Sequence, residues 1–321
     1  MIRLGFIFAA SLYLSSSLAD AAGFQRIEIP GDGTLPAIKG GVWYPCAEPA
    51  GEVKVGPFTM AAVKDCPVTG EKLPLVVISH GKGGTFIGHY DTAEILADAG
   101  FVVVAISHPG DNATDKSRID DPSVFVERPA DIKRTIDFML GPWPDAGKID
   151  AARIGLFGFS RGGYTGLVAI GANPYFSKNL RLCEGNDSPL CDQVHKGELP
   201  ELVHDPRIKA AVIADPLNVS FTPDSFKTVK VPVQLWGSEH GGDGVTPESV
   251  VAIANQLPEK PEFRVVPNSQ HFDFLPPCPP ELAKAVPVIC ADPPDFDRAA
   301  FHRELNAATL AFFRRHLVSA Q

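Results

Sequence analysis

The chain has 321 residues, of which 45% are hydrophobic and 21% charged. These are values of a globular protein with a sizeable core, long enough for one large domain or two ordinary ones. A net charge of −9 argues against nucleic acid or an anionic membrane surface as partner, because both reward lysine and arginine.

At the N-terminus Arg3 gives a positive start, residues 4–14 form a short apolar run, and Ser17 and Ala19 supply small residues after it. This is the layout of a secretory signal peptide. The run is too short to span a bilayer, which takes about 20 apolar residues. Cleavage is expected after Ala19 or Ala22, so 1–22 is read as signal peptide and 23–321 as the mature domain, secreted or periplasmic. No later segment is long and apolar enough for stable membrane insertion.

Residues up to about 70 are rich in glycine and proline and are expected to give antiparallel strands at a sheet edge, with "GVWYP" (41–45) as one. From about residue 73 a different rhythm begins. "LVVISH" (75–80) reads as a buried strand, 92–99 as a helix, "FVVVAISH" (101–108) as a strand, and "RPADIKRTIDFML" (128–140) as a helix with Ile132, Ile136 and Met139 at core spacing. "RIGLFG", "IKAAVIAD" (208–215), "VPVQLWG" (231–237) and "EFRVVP" (262–267) read as further strands. A last helix is expected over 298–317, with Phe301, Leu305, Ala308 and Phe312 on one face. Nearly continuous apolar strands alternating with helices imply a parallel sheet covered on both faces, hence an α/β domain. The stretch 173–205 breaks the rhythm and is either a cap over a site or a surface insertion; loops of that length are usually functional or disordered.

Six cysteines suit an oxidising compartment. Cys46 and Cys66, Cys183 and Cys191, and Cys278 and Cys290 are near neighbours along the chain. Pairing within each couple is the simplest arrangement, although six cysteines allow 15 connectivities. No Cys-x-x-Cys occurs, so the spacing is not that of a zinc site.

Gly158-Phe159-Ser160-Arg161-Gly162 matches Gly-x-Ser-x-Gly, with an apolar strand leading in and a helix-compatible segment leading out. That context reads as a nucleophile elbow, a turn so sharp that the serine is held in a strained conformation at a strand's carboxyl end. The competing reading is a glycine-rich turn with a capping serine. A serine needs a base, and the base an orienting carboxylate, in the chain order serine, acid, histidine. His195, His204, His240 and His271 all follow Ser160. His271, just after the last expected strand, is best placed to reach across the sheet. Its alternative is a surface histidine held by Asp273. For the acid, Asp215 ends a strand, while Asp243, with Glu239, lies in the glycine-rich "WGSEHGGDG" (236–244); both stay open on order alone. Two backbone N–H donors must hold the oxyanion: Arg161, after the nucleophile, and Lys82 in "SHGKGG" (79–84), with Gly83 in reserve and His80 structural.

Together "VVISHGKGG", "GFVVVAISHPGD", "IGLFGFSRGGY", "IKAAVIADP" and "NSQHFDFL" resemble the α/β-hydrolases of the dienelactone hydrolase and platelet-activating factor acetylhydrolase type, over roughly 73–274 plus the C-terminal helix. The resemblance implies a mostly parallel central sheet of about eight strands with helices on both faces. It also favours Asp215 over Asp243, because the acetylhydrolase branch takes its acid from the end of that strand. The chain departs from the dienelactone hydrolases in having Ser160 where they use cysteine. It has Phe159 where many relatives have histidine, and Arg161 where many have an apolar residue; Arg161 is expected to add a charge near the mouth of the site or to make a surface salt bridge.

The expectation is therefore an exported serine carboxylic-ester hydrolase with Ser160, Asp215 and His271 as triad, Lys82 and Arg161 N–H groups as oxyanion donors, a small-molecule ester as partner, and no metal or organic cofactor. The alternatives are an amidase or other acyl hydrolase with the same triad, or an inactive binding protein on the same fold. A metal-dependent reading of "EHGGD" (239–243) would leave His271 without a role.

Overall fold

The apolar runs bounded by glycine, proline and charge become ten strands of a single sheet: β1 (Ala21–Ile29), β2 (Ile38–Cys46), β3 (Gly51–Val55), β4 (Phe58–Lys64), β5 (Leu73–Ser79), β6 (Val102–Ser107), β7 (Ile149–Phe159), β8 (Ile208–Ala214), β9 (Val233–Ser238) and β10 (Glu262–Val266). The structure, a computed structural model, describes residues 21–318 apart from positions 34, 179 and 199. The segment 1–20, which holds most of the expected signal peptide, lies outside the described residues.

The strand order is β10-β9-β8-β7-β5-β6-β2-β1-β4-β3. From β10 to β6 every neighbour is parallel. Beyond β6 the first four strands extend the sheet with antiparallel pairs, apart from the parallel pair β1–β4. Among the described residues the sheet thus has ten strands rather than about eight. The stretch 41–45 is not at an edge either: β2 lies between β6 and β1, and β3 forms the border. Both backbone edges of β2 are paired, on β1 and on β6, so the open edge with its unpaired N–H and C=O groups falls to the short strand β3.

Alternation along the central strands feeds two cores. Leu75 and Val77 point to one face, with α2 (Val124–Leu140), α3 (Arg161–Ala169) and α5 (Pro247–Gln256); Val76 and Ile78 point to the other, with α1 (Tyr90–Asp98) and α8 (Arg298–Phe313). α2 starts one turn earlier than its expected first residue, Arg128, so Pro129 lies inside it. The extra turn is held by Ser123, whose carbonyl accepts from Val126 and Glu127 N–H, and by the ion pair Arg118–Glu127. α8 continues through a π-type turn to Val318.

Among its described residues the excursion 173–205 carries α4 (Pro189–His195) and two short 3₁₀ helices. Its Leu190, Cys191 and Val194 pack with Phe125, Tyr164 and Val168 from α2 and α3, and Leu190 N–H donates to Ser123 Oγ at 3.2 Å. Disulfides join Cys46–Cys66, Cys183–Cys191 and Cys278–Cys290, with Cα separations of 6.3, 5.3 and 5.7 Å. The last closes a proline-rich segment bearing α6 (Pro280–Ala285) and α7 (Pro287–Cys290).

Candidate active site

Chain order makes β5 the pivot of the sheet: β6 follows on one side, whereas β7 to β10 run out on the other. In such sheets the crevice beyond the carboxyl ends, at the reversal, is where ligands bind. Ser79 is level with Gly158, Phe159 with Ala214, and Ala214 with Trp236. The residues just after these ends are therefore neighbours.

Between β7 and α3 the chain turns at Ser160, whose φ is +56°. Such a conformation costs about 1–3 kcal/mol for a residue with a side chain and persists only where its surroundings enforce it. Here the Ser160 N–H donates to Ala214 O at 3.0 Å and its carbonyl accepts from Tyr164 and Leu217. The glycines are sterically required. A Cβ on Gly158 would collide with Gly162 backbone, and one on Gly162 with the carbonyl oxygen of Ser79. A Cβ on Gly163 would come within 2.9 Å of Pro216. The result is a hydroxyl at the N-terminus of α3, where the helix dipole favours developing negative charge.

His271 opens a short 3₁₀ turn, His271–Phe274, beyond β10, and its N–H is anchored on Gly241 O at 2.9 Å. Its Nδ1–H donates to Asp215 Oδ2 at 2.6 Å. A carboxylate only accepts, so this bond leaves Nε2 as the acceptor for the Ser160 hydroxyl at 2.9 Å. All three side chains are buried. The imidazole also stacks on Phe159, with centroids 4.8 Å apart and planes at 26°.

Asp215, at φ +43°, is held on both oxygens: Oδ1 accepts from Ser238 N–H and Oδ2 from Ser238 Oγ, each at 2.8 Å. Ser238 ends β9 one strand over, and nothing in its local sequence marks it; only the β8–β9 register places it there. Asp243 is exposed on the loop 241–244, and Glu239 accepts from Asn268 N–H. His195 lies at the end of α4, His240 is exposed and His204 is half-buried in the excursion. Asp273 does not hold His271: its carboxylate takes Arg298 Nη2 at 3.0 Å and Gln270 N–H at 2.7 Å.

The loop after β5 lies against the elbow, so a Cβ on Gly81 would meet Ser160 Cβ at 3.1 Å. His80 is buried and structural. Its Nε2 accepts from His108 N–H at 3.1 Å, so Nδ1–H donates to Gly81 O at 2.6 Å. Burial, reinforced by the Arg128 charge, pushes its pKa down to about 3, which keeps it neutral. Gly83 N–H is taken by Asp111 Oδ1 at 3.1 Å. The Lys82 N–H has no hydrogen-bond partner among the described residues, and its ammonium reaches Asp120 at 2.6 Å. Arg161 is the first residue of α3, so its N–H lacks an intrahelical acceptor.

The Arg161 side chain is not at the mouth and makes no surface salt bridge. It is buried, pairs with Asp111 Oδ2 at 2.8 Å, donates to Ile119 O at 3.0 Å and lies over the Phe125 ring. The excursion after β6 supplies both of these acceptors, Asp111 and the Ile119 carbonyl. Sequence reasoning passed over Asp111; the available signal was an acidic residue in the Pro-Gly turn that follows a strand's carboxyl end.

Residues 43–133 match the family model of platelet-activating factor acetylhydrolase, isoform II. That segment includes the loop after β5, Asp111 and most of α2 and ends before Ser160. No curated protein sequence matches the chain. A ferulic acid esterase from Streptomyces cinnamoneus has a similar solved structure, with a TM-score of 0.65 and 21% identity over 95% of this chain and 92% of that one. The likeness is one of fold.

Proposed function

We propose that this chain, an α/β-hydrolase similar over residues 43–133 to the acetylhydrolase family, is an exported serine carboxylic-ester hydrolase acting through an acyl-enzyme. The observation that carries the reading is the continuous relay from Ser160 Oγ through His271 to Asp215, with bonds of 2.9 and 2.6 Å. Ser160 Oγ attacks the ester carbonyl carbon while His271 Nε2 takes its proton. The imidazolium that forms is stabilised by Asp215, which keeps its own charge. The carbonyl oxygen, now negative, is held by the N–H groups of Lys82 and Arg161. Collapse expels the alcohol, which leaves with the proton from His271 Nε2. Water then enters along the same path and releases the acid.

One feature supports export: three disulfides among the described residues suit an oxidising compartment. β1 begins at Ala21, where Ala21 and Ala22 are buried and pair with Cys46 and Pro45. Cleavage after Ala19 leaves that strand whole, whereas cleavage after Ala22 removes two paired residues.

The test is turnover of p-nitrophenyl acetate and butyrate by the mature chain and by Ser160→Ala. The variant is expected to lose up to about 10⁶ in kcat, and a fluorophosphonate probe is expected to label the parent chain on Ser160. Undiminished turnover by the variant ends the reading. The matching anilides separate an ester hydrolase from an amidase.

A further inference from the structure

Behind the loop after β5 lies a charge cluster that the relay does not use. Asp111 is fully buried between two buried arginines. Its Oδ2 accepts from Arg128 Nη1 at 3.0 Å and from Arg161 Nη1 at 2.8 Å, and its Oδ1 accepts from Gly83 N–H at 3.1 Å. Arg128 Nη2 in turn donates to the His80 carbonyl and lies 3.4 Å from Ser79 Oγ. Beside the cluster, His108 donates from Nδ1 to Asp131 and meets Ser79 Oγ through Nε2 at 3.0 Å. Burial, with the neighbouring arginine charges, holds His108 well below the usual histidine range, so it adds no positive charge.

We infer that Asp111 is the positioning residue of the oxyanion site, one carboxylate that ties together the two chain segments supplying the donors. The inference rests on the reading of Ser160 as nucleophile. On one side, Asp111 occupies the N–H of Gly83. A loop has successive N–H groups to dispose of, and fixing this one outward leaves the preceding N–H, that of Lys82, as the donor free to face the serine. On the other side, Asp111 holds the side chain of Arg161, whose backbone N–H is the second donor. Arg128 closes the circuit by gripping the His80 carbonyl at the start of the same loop.

Truncating the hub should therefore impair transition-state binding while leaving ground-state binding largely intact. Asp111→Asn cannot serve all three donors: with its oxygen toward the two guanidiniums its NH₂ faces the Gly83 N–H, and with its oxygen toward Gly83 its NH₂ faces the guanidiniums. It is expected to lower kcat for p-nitrophenyl butyrate by about 10²-fold, the scale of one lost oxyanion donor, with KM within about threefold. Inhibition by 1,1,1-trifluoro-2-butanone, whose adduct with the serine carries the oxyanion, is expected to weaken in proportion to the loss in kcat/KM. Arg161→Met should fall the same way, and Arg161→Lys, which keeps a cation for Asp111, should recover at least tenfold of that loss. The arginine pair decides the matter if Asp111→Asn does not fold. A kcat within threefold of the parent in the folded variants overturns the inference, as does a fall in kcat with unchanged inhibition by the ketone. If Ser160→Ala is inactive while Asp111→Asn and Arg161→Met are unimpaired, only this inference fails; if Ser160→Ala stays active, the proposed function fails instead.

Discussion

Phe159 and His271 are stacked, with ring centroids 4.8 Å apart, although 112 positions separate them along the chain. Phe159 is the residue before the elbow serine, so the strand that presents the hydroxyl also walls the imidazole. Phe274 also stacks on Phe159, with centroids 6.3 Å apart and planes at 23°. Phe159→Ala is expected to destabilise the chain by about 3–5 kcal/mol, the range for a buried phenylalanine. It should also cost up to about 10²-fold in kcat, because an imidazole without that wall no longer holds its attack geometry. Thermal unfolding and steady-state kinetics on one ester check both. A variant that loses stability but keeps kcat would show that the stack only fills space.

The partner of His271 yields a comparison of two carboxylates. Asp215→Asn should reduce kcat by about 10⁴, the scale seen when an orienting carboxylate becomes an amide and the wrong histidine tautomer is favoured. Asp243→Asn, exposed on its loop, should stay within a factor of two of the parent. The reverse ranking would move the orienting role to the loop after β9.

Gly162 tests the elbow's sterics. A Cβ at that position collides with the Ser79 carbonyl, a backbone atom that cannot swing away. Gly162→Ala is expected to cost about 3 kcal/mol or more and to abolish turnover. At Gly147 a Cβ would meet nothing within 4 Å, so Gly147→Ala should be silent in both assays. Equal melting temperatures for the two variants would mean that the elbow can relax.

His89 governs part of the response to acid. It is buried between Phe157 and Phe159, and neither ring nitrogen has a partner among the described residues. Burial lowers its pKa from 6.5 to about 4, against an opposing pull from Asp91. Between pH 6.5 and 4 the unfolded chain therefore binds a proton that the folded chain refuses. Stability rises with pH across that window and is lost as pH falls through it, by of order 3 kcal/mol for a shift of this size. His80, lowered to about 3, acts in the same direction. His89→Phe should flatten the decline in melting temperature from pH 6.5 to 4 and leave the value at pH 8 unchanged or higher. An unaltered acid slope would assign the sensitivity elsewhere.

The sequence by itself determined the parallel half of the sheet, and it pointed to a tight turn at Ser160 and, as the simplest of 15 pairings, to the three near-neighbour cysteine couples. Those features are local: an apolar run of strand length, glycines where backbone approaches backbone, thiols a short loop apart. It also reduced the candidates for a histidine and a carboxylate to a few strand ends, since strand ends follow from chain order. Tertiary structure alone decided what depends on lateral register. Asp215 rather than Asp243 faces His271 because β8 and β9 are aligned so that Ser238 braces the aspartate from one strand over. β2 lies inside the sheet rather than at its border because β1, β4 and β3 continue beyond it. Arg161 is sunk beside Asp111 rather than exposed because a loop fifty positions earlier folds back over the elbow. Each of these is a contact between segments whose sequences carry no mark of one another, so only the packed chain brings them together.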